Sequence, residues 1–240
     1  MNEKRKFKLE EDIYLIDKAL WLEKQRLLCI ADLHIGYEEY LNEQGIAFPR
    51  QQFKIIKEEV SSLLNLKPKT VLINGDLKHE FGRISKQEWR ETNEILDLIL
   101  SKAKLVLVKG NHDTIIEPIA RKKDIKIVEH YFTNKFCFMH GHQFELKLSI
   151  LDENIKWLIL AHLHPIINLR EGIKNEKYKC WLVGKWKGKK IIIMPSFLPY
   201  VSGAHADEYS LNINFNNFDV FAIGDKIYPL GKFKQLIKNF

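Results

Sequence analysis

Five short segments of this 240-residue chain end in side chains that can ligate a metal or move a proton. Asp32 and His34 close RLLCIADLH (26–34), Asp76 and His79 close TVLINGDLKH (70–79), and Asn111, His112 and Asp113 close LVLVKGNHD (105–113). His140 and His142 close FCFMHGH (136–142), and His162 and His164 stand in WLILAHLHP (157–165). Seven of the nine histidines fall in these segments. Nitrogen and oxygen donors without thiolate suit Mn, Fe, Zn, Co or Ni, and manganese is the first expectation. The donors suffice for two divalent ions. Asp32, His34 and His164 can hold one, Asn111, His140 and His162 the other, and Asp76 can bridge a pair roughly 3.5 to 4 Å apart.

Charge points to the substrate. Two divalent ions against two carboxylates leave about two positive charges, which a hydroxide and a phosphoryl group would neutralise. His112 follows Asn111 directly, so in an extended turn it points away from the ions and stays free to stabilise or protonate a phosphoryl ester. His142, beyond Gly141, reads as solvated, and His130 and His205 lie outside the pattern.

Elements must bring these groups together. Each segment is an apolar run of strand length that stops at a polar end, as buried strands do when they deliver side chains to a sheet rim. At the strand ends the i, i+2 spacing of Asp32 with His34 and of His162 with His164 places both members of a pair on one side. Between the strands, Phe53, Ile56, Val60, Leu63 and Leu64 share one face of a helix from Gln52 to Leu66, stopped by Pro68. Ser85 and Glu88 form a capping box for a second helix with Trp89, Leu96, Ile99 and Leu100 as its buried stripe. A short helix is expected over 114–123, with Asp113 as its first-turn or N-cap acid. Residues 37–50, ending in Gly45 and Pro49, read as an irregular lid or cleft wall.

Strands open the chain at IYLI (13–16) and ALWL (19–22), and from residue 125 they become dense: IKIVEHYF, FCFM, WLIL, KYKCWLVGKW, KKIIIM and NFDVFAIG. Alternation in the first half and strand density in the second predict an α/β (α+β) fold with two mixed sheets packed face to face and helices outside. No linker or repeat interrupts the motifs, so residues 1–240 are expected to be one domain.

Composition narrows the class. No window reaches the ~18 apolar residues of a membrane span and no apolar run follows the charged N-terminus, so a soluble, cytoplasmic protein with no membrane partner is expected. Cys29, Cys137 and Cys180 sit inside apolar runs and read as buried reduced thiols. The net charge of +7 and pI near 9.1 admit a nucleic-acid partner, although a chain rich in Lys, Ile and Glu also matches the surface balance of proteins from hot environments. KWKGKK (185–190) surrounds a Gly188 hairpin turn with Lys and Trp186; solvated turn lysines explain it at least as well as a strand-binding patch. PSFLPYVSG (195–203) could line the cleft through Ser196 or its backbone.

In order, DLH, GDLKH, GNHD, HGH and AHLH resemble the calcineurin-like metallophosphoesterase superfamily, whose pattern is DxH, GD, GNH, H and GHxH. The resemblance covers residues 26–165 and implies a four-layer αββα sandwich with a two-metal site. It matches Asp32, His34, Asp76, Asn111, His140, His162 and His164 to the family ligands and His112 to the family's catalytic histidine. Ala161 replaces the usual glycine of the last motif. His79 stands where phosphoprotein phosphatases carry an acid, and GDLxH is similar to SbcD-type DNA repair nucleases, which implies a second catalytic histidine. The stretch QGIAFPRQQ also resembles archaeal SbcD-related phosphoesterases and ligase-associated DNA-damage-response endonucleases.

Taken together, these readings predict a two-metal phosphodiesterase in which a metal-bridging hydroxide attacks phosphorus in line and His112 with His79 manages the leaving group. Nucleic acid is the favoured substrate, with a role in DNA repair as its natural setting. A small-molecule nucleotide phosphoesterase and a non-catalytic interaction module on the same fold are the alternatives. A deep closed pocket would favour the first alternative, and a large exposed apolar patch the second.

Overall fold

A computed structural model describes residues 5–82, 84–143, 152–171, 174–209 and 212–237. The chain opens as an antiparallel meander of β1 (Lys6–Glu10), β2 (Ile13–Ile16), β3 (Ala19–Leu22) and β4 (Leu27–Ile30). Pairing then turns parallel through β5 (Thr70–Asn74), β6 (Lys104–Val108) and β7 (Lys126–Val128), completing a seven-stranded sheet in sequence order. Parallel neighbours need long crossovers. These carry α1 (Tyr37–Glu43) and α2 (Gln52–Leu64), then α3 (Lys86–Leu100), then α4 (Glu117–Lys122).

Period-two alternation decides what each strand faces. Leu28, Ile30, Val71, Ile73, Leu105 and Leu107 pack against Ile56 and Val60 of α2 and Ile95 and Ile99 of α3. The intervening Cys29, Leu72, Val106 and Val108 face a second sheet and meet Phe136, Phe138, Ile159, Trp181 and Ile192 there. Each such side chain contributes about 1.5–3 kcal/mol on burial, so the interface between the sheets fixes their relative position.

That second sheet contains β8 (Tyr131–Thr133), β9 (Phe136–Met139), β10 (Trp157–Leu160), β12 (Lys174–Trp186), β13 (Lys189–Ile193), β14 (Asp219–Ile223) and β15 (Ile227–Lys232), in the order β15-β14-β12-β13-β10-β9-β8. β11 (Ile166–Glu171) pairs with the first half of β12. β9, β10 and β13 are mutually parallel, so the ends of β9 and β10 point the same way. Two mixed sheets with flanking helices match the fold expected from the sequence. Among the described residues, the outer face of the second sheet is covered by 3-10 turns at Ala206–Glu208 and Phe215–Asn217 and by α5 (Phe233–Ile237), a thinner layer than the long helices on the other side.

Several local expectations change. IKIVEHYF is two strands: the chain leaves the first sheet after Val128 and enters the second at Tyr131. Residues 37–43 are helical, so the wall at 37–50 is only partly irregular. The buried stripe of α3 includes Leu96 and Ile99, as expected, but is completed by Glu88, Glu91, Thr92 and Ile95 and leaves Trp89 40% exposed. Ser85 does accept the Glu88 amide as N-cap, but the Glu88 carboxylate turns away to the amides of His79 and Glu80, at 2.8 and 3.0 Å, so the box is not reciprocal. Asp113 does not cap α4, whose N-cap is Ile116. Cys29, Cys137 and Cys180 are buried and unbridged, as expected, and burial pushes each thiol up. Among the described residues no helix is long and apolar enough to cross a membrane.

Candidate metal centre

The site forms where β4, β5, β6, β9 and β10 end. Backbone pairing continues past β4 and β5: the amides of Asp32, His34 and Ile35 donate to the carbonyls of Gly75, Asp76 and Leu77, each at 3.0 Å. The intervening residues are not extended. Asp32, His34, Asp76, His162 and His164 have φ of 54°, 46°, 50°, 68° and 46°, in the left-handed region that costs a non-glycine residue roughly 1–2 kcal/mol. The i, i+2 partners therefore converge through left-handed turns rather than strand alternation. Such strain persists only where the surroundings over-determine it, as they do at functional sites.

Two groups of donors that include a carboxylate result, and a third, of His34, His79 and His112, adjoins them. Donor atoms of Asp32, His34 and His164 all lie within 4.8 Å of one another, as do those of Asp76, His140 and His162. His34 Nε2 is 3.3 Å from His164 Nε2, and His164 Nε2 is 3.4 Å from Asp32 Oδ2. In the second group His140 Nε2 is 3.2 Å from Asp76 Oδ2 and 3.0 Å from Asn111 Oδ1. Asp76 Oδ2 also lies 3.8 Å from His34 Nε2, so its carboxylate stands between the groups. The structure thus brings together all seven residues expected as ligands.

The donor set fits divalent cations. Asp32, His34, Asp76 and His140 are at most 5% exposed, and burying carboxylates and mutually facing imidazole nitrogens is costly unless a cation pairs them. His140 donates from Nδ1 to the Asn74 carbonyl at 3.0 Å, which aims Nε2 at the group. Asn74 itself is buried and donates from Nδ2 to the Met139 carbonyl at 3.1 Å, tying the end of β5 to that of β9. Burial drives His34 well below the usual imidazole value, with His164 adding to it, and burial with His140 lowers His162 to about 4. Burial opposes the charged forms of Asp76 and His140 as well, yet their mutual hydrogen bond holds the Asp76 carboxyl well down and raises His140 to about 9.

Beside these groups stand His79 and His112, stacked with centroids 5.2 Å apart. His112 is oriented by its Nδ1, which donates to the His79 carbonyl. That bond leaves Nε2 turned to the site, 4.0 Å from Asp76 Oδ2. His79 Nδ1 is 3.4 Å from His34 Nδ1, and burial with His112 lowers His79 to about 4. Phe81 packs on His112 at 3.9 Å, while Tyr37 and Tyr40 of α1 lie 4.9 and 4.8 Å from His79, so Phe81 and α1 together build an aromatic wall. His142 is half-buried with its ring 5.4 Å from His140, so it borders the second group instead of standing in solvent. His130 packs near Phe132.

Sequence reasoning missed the residues that hold this arrangement. Asp113 is fully buried and accepts the amides of Leu77 and Gly110, each at 3.0 Å, tying the ends of β5 and β6 together. Burial with Asp76 raises its carboxyl to about 6. Gln52 Nε2 donates to the carbonyls of Leu33 and His34 at 3.2 and 2.7 Å, and buried Glu38 accepts the amides of Gln51 and Gln52. Position beside a motif was the signal for Asp113; Gln52 and Glu38 gave none. Gly110 has a simple reason: a Cβ there would meet Asp76 Oδ1 at 2.2 Å.

A search of curated proteins finds no match to this chain. Among solved structures, the Pseudomonas putida nuclease MPE is similar over 94% of this chain and 99% of its own, at 20% identity and a TM-score of 0.69. The Escherichia coli phosphoesterase YfcE aligns over 84% of this chain and 95% of its own, at 16% identity and a TM-score of 0.42. The first likeness establishes the fold. Residues 25–225, which contain all five strand ends of the site, match the family model for calcineurin-like phosphoesterases, so the chain belongs to that family of metal-dependent phosphoester hydrolases.

Proposed function

We propose that the protein is a two-metal phosphodiesterase acting on nucleic acid. Asp32, His34 and His164 would hold one ion and Asn111, His140 and His162 the other, with the Asp76 carboxylate available to both. When bound, such a pair supplies a water of lowered pKa as nucleophile and neutralises charge on the phosphoryl oxygens. His112, held at Nδ1 by the His79 carbonyl, presents Nε2 to the leaving oxygen and protonates it. His79 backs His112 across the stacked pair and carries the carbonyl that orients it. Manganese is the proposed native ion.

The observation that carries the polymer reading is the aromatic wall. Phe81 is 51% exposed and Tyr40 36%, and both rings border the histidine pair. Bases on either side of a scissile phosphate can stack there, at about 1–3 kcal/mol each. The Pseudomonas putida protein of the same fold bears the name nuclease.

The test is Mn²⁺-dependent hydrolysis of bis-p-nitrophenyl phosphate and p-nitrophenyl phosphate, followed by single- and double-stranded DNA, for wild type and Phe81→Ala. The reading requires diester hydrolysis, cleavage of DNA, and a loss in Phe81→Ala confined to DNA. Preference for the monoester, with no action on DNA, sinks it.

A further inference from the structure

Far from the candidate site, the ends of four adjacent strands carry lysines. Register aligns Trp157 of β10 with Phe136 of β9 and with Lys190 of β13, and aligns Lys190 with Lys185 of β12. Lys135 and Lys156 immediately precede β9 and β10, and backbone bonds link the row: Lys156 N to the Lys135 carbonyl at 2.8 Å, Lys190 N to the Lys156 carbonyl at 2.9 Å. Neighbouring strands are about 4.8 Å apart, so four ammonium groups start from a row with that spacing. His140, His162 and His164 follow the opposite ends of β9 and β10. Trp157 and His162 are five residues apart, which puts the two ends on the order of 16 Å from each other.

These lysines line a trough. Two depressions of about 730 and 570 Å³ share Glu10, Trp157, Lys185 and Lys190. Together their walls hold eight lysines and three carboxylates, so this end carries most of the formal +7 of the chain. Lys190 pairs with Glu10 and Lys232 with Asp219. Among the described residues, no ion pair engages Lys8, Lys135, Lys156, Lys185 or Lys187. Like charges directly opposite across a sheet are destabilising, and Lys185 opposite Lys190 is such a pair. Solvated lysines spread over a surface avoid that cost. Lysines gathered in a concave trough focus a positive potential that a polyanion relieves.

We propose that this trough docks the phosphate backbone of nucleic acid, as a second contact remote from the metal centre. The proposal rests on the nucleic-acid reading above and adds to it that long substrates touch the protein at two ends. A duplex advances about 3.4 Å per base pair, so only substrates longer than roughly five base pairs span both.

The triple variant Lys135→Gln, Lys156→Gln, Lys185→Gln tests it in two assays. Binding of a 40-base-pair duplex by fluorescence anisotropy, in EDTA so that nothing is cleaved, should weaken on the order of a hundredfold at 0.1 M salt, and the slope of log affinity against log salt should fall by about three. Turnover of bis-p-nitrophenyl phosphate should be unchanged, and cleavage of three-nucleotide DNA should keep its KM while that of the long duplex rises. An unchanged salt slope and duplex affinity overturns the docking site even if DNA is cleaved. Lysine-dependent binding without DNA cleavage leaves the docking site standing and removes the nuclease reading. Equal competition by polyglutamate of matched charge overturns the choice of nucleic acid.

Discussion

Gly75 and His140 meet so closely that a Cβ on Gly75 would lie 2.2 Å from His140 Nδ1. The backbone of Gly75 also has φ of 88°, where side chains are strained. Gly75→Ala should therefore push the His140 ring off its bond to Asn74 and out of the second donor group. The expected result is a folded protein that binds one equivalent of Mn²⁺ instead of two by elemental analysis, with turnover reduced by about 100-fold. Retention of both ions at full activity would show that the ring has another place to go.

His112 and Asp76 should separate chemistry from metal retention. His112→Ala removes a group outside both donor sets, so metal content should stay while turnover falls by about 10²–10⁴. Asp76→Ala removes the carboxylate between the sets and should lose metal and stability together. Elemental analysis beside thermal melting distinguishes the two variants, and metal loss in His112→Ala would reassign that residue as a ligand.

Glu88 holds the turn that carries His79, through bonds to the His79 and Glu80 amides. Glu88→Ala leaves those half-buried donors unmet, at a cost of about 1 kcal/mol. Chemical denaturation should show that loss. Diester turnover should drop more than metal affinity, because His79 moves while Asp32, His34 and His164 keep their own supports. Parallel losses in both would mean that the turn supports the donors as well.

Lys179 links stability to pH. The residue is 6% exposed, and its Nζ donates to the Ser196 hydroxyl at 2.7 Å and to the carbonyls of Ser196 and Leu198. Burial, with Lys18 nearby, sets its pKa well below the ordinary 10.5. In the interval between the lowered value and 10.5 the unfolded chain holds a proton that the folded chain does not, so stability rises with pH through that interval. Lys179→Met should destabilise by about 1–3 kcal/mol through the orphaned carbonyls. The difference between wild type and variant should widen from pH 7 to pH 10 in urea titrations; a flat difference would place the native pKa at its ordinary value.

Much of this architecture was readable because strand ends and polar residues coincide in the motifs. Apolar runs with period two gave the central strands, and the residue types gave both donor groups. Edge strands were less legible. β1 alternates half-buried and exposed positions, and β15 contains Pro229 and Gly231, which argue against a strand in isolation. Supports such as Gln52, Glu38 and Glu88 act on backbone groups 8 to 19 residues away, where no local pattern reports them. Left-handed turns at Asp32, His34, Asp76, His162 and His164 were equally silent, since none is glycine.

The PSFLP segment after β13 closes on the first motif: Phe197 and Leu198 donate their amides to the carbonyls of Ala31 and Asp32 at 2.8 and 3.1 Å. During synthesis the earliest donor in the chain therefore waits for residues made more than 160 positions later. Until the ribosome has released that segment, the carbonyls of Ala31 and Asp32 lack these two donors, and until His162 and His164 emerge neither donor group is complete. Nascent chains pass most of their elongation unable to assemble the centre, and ion capture becomes one of the last events of folding.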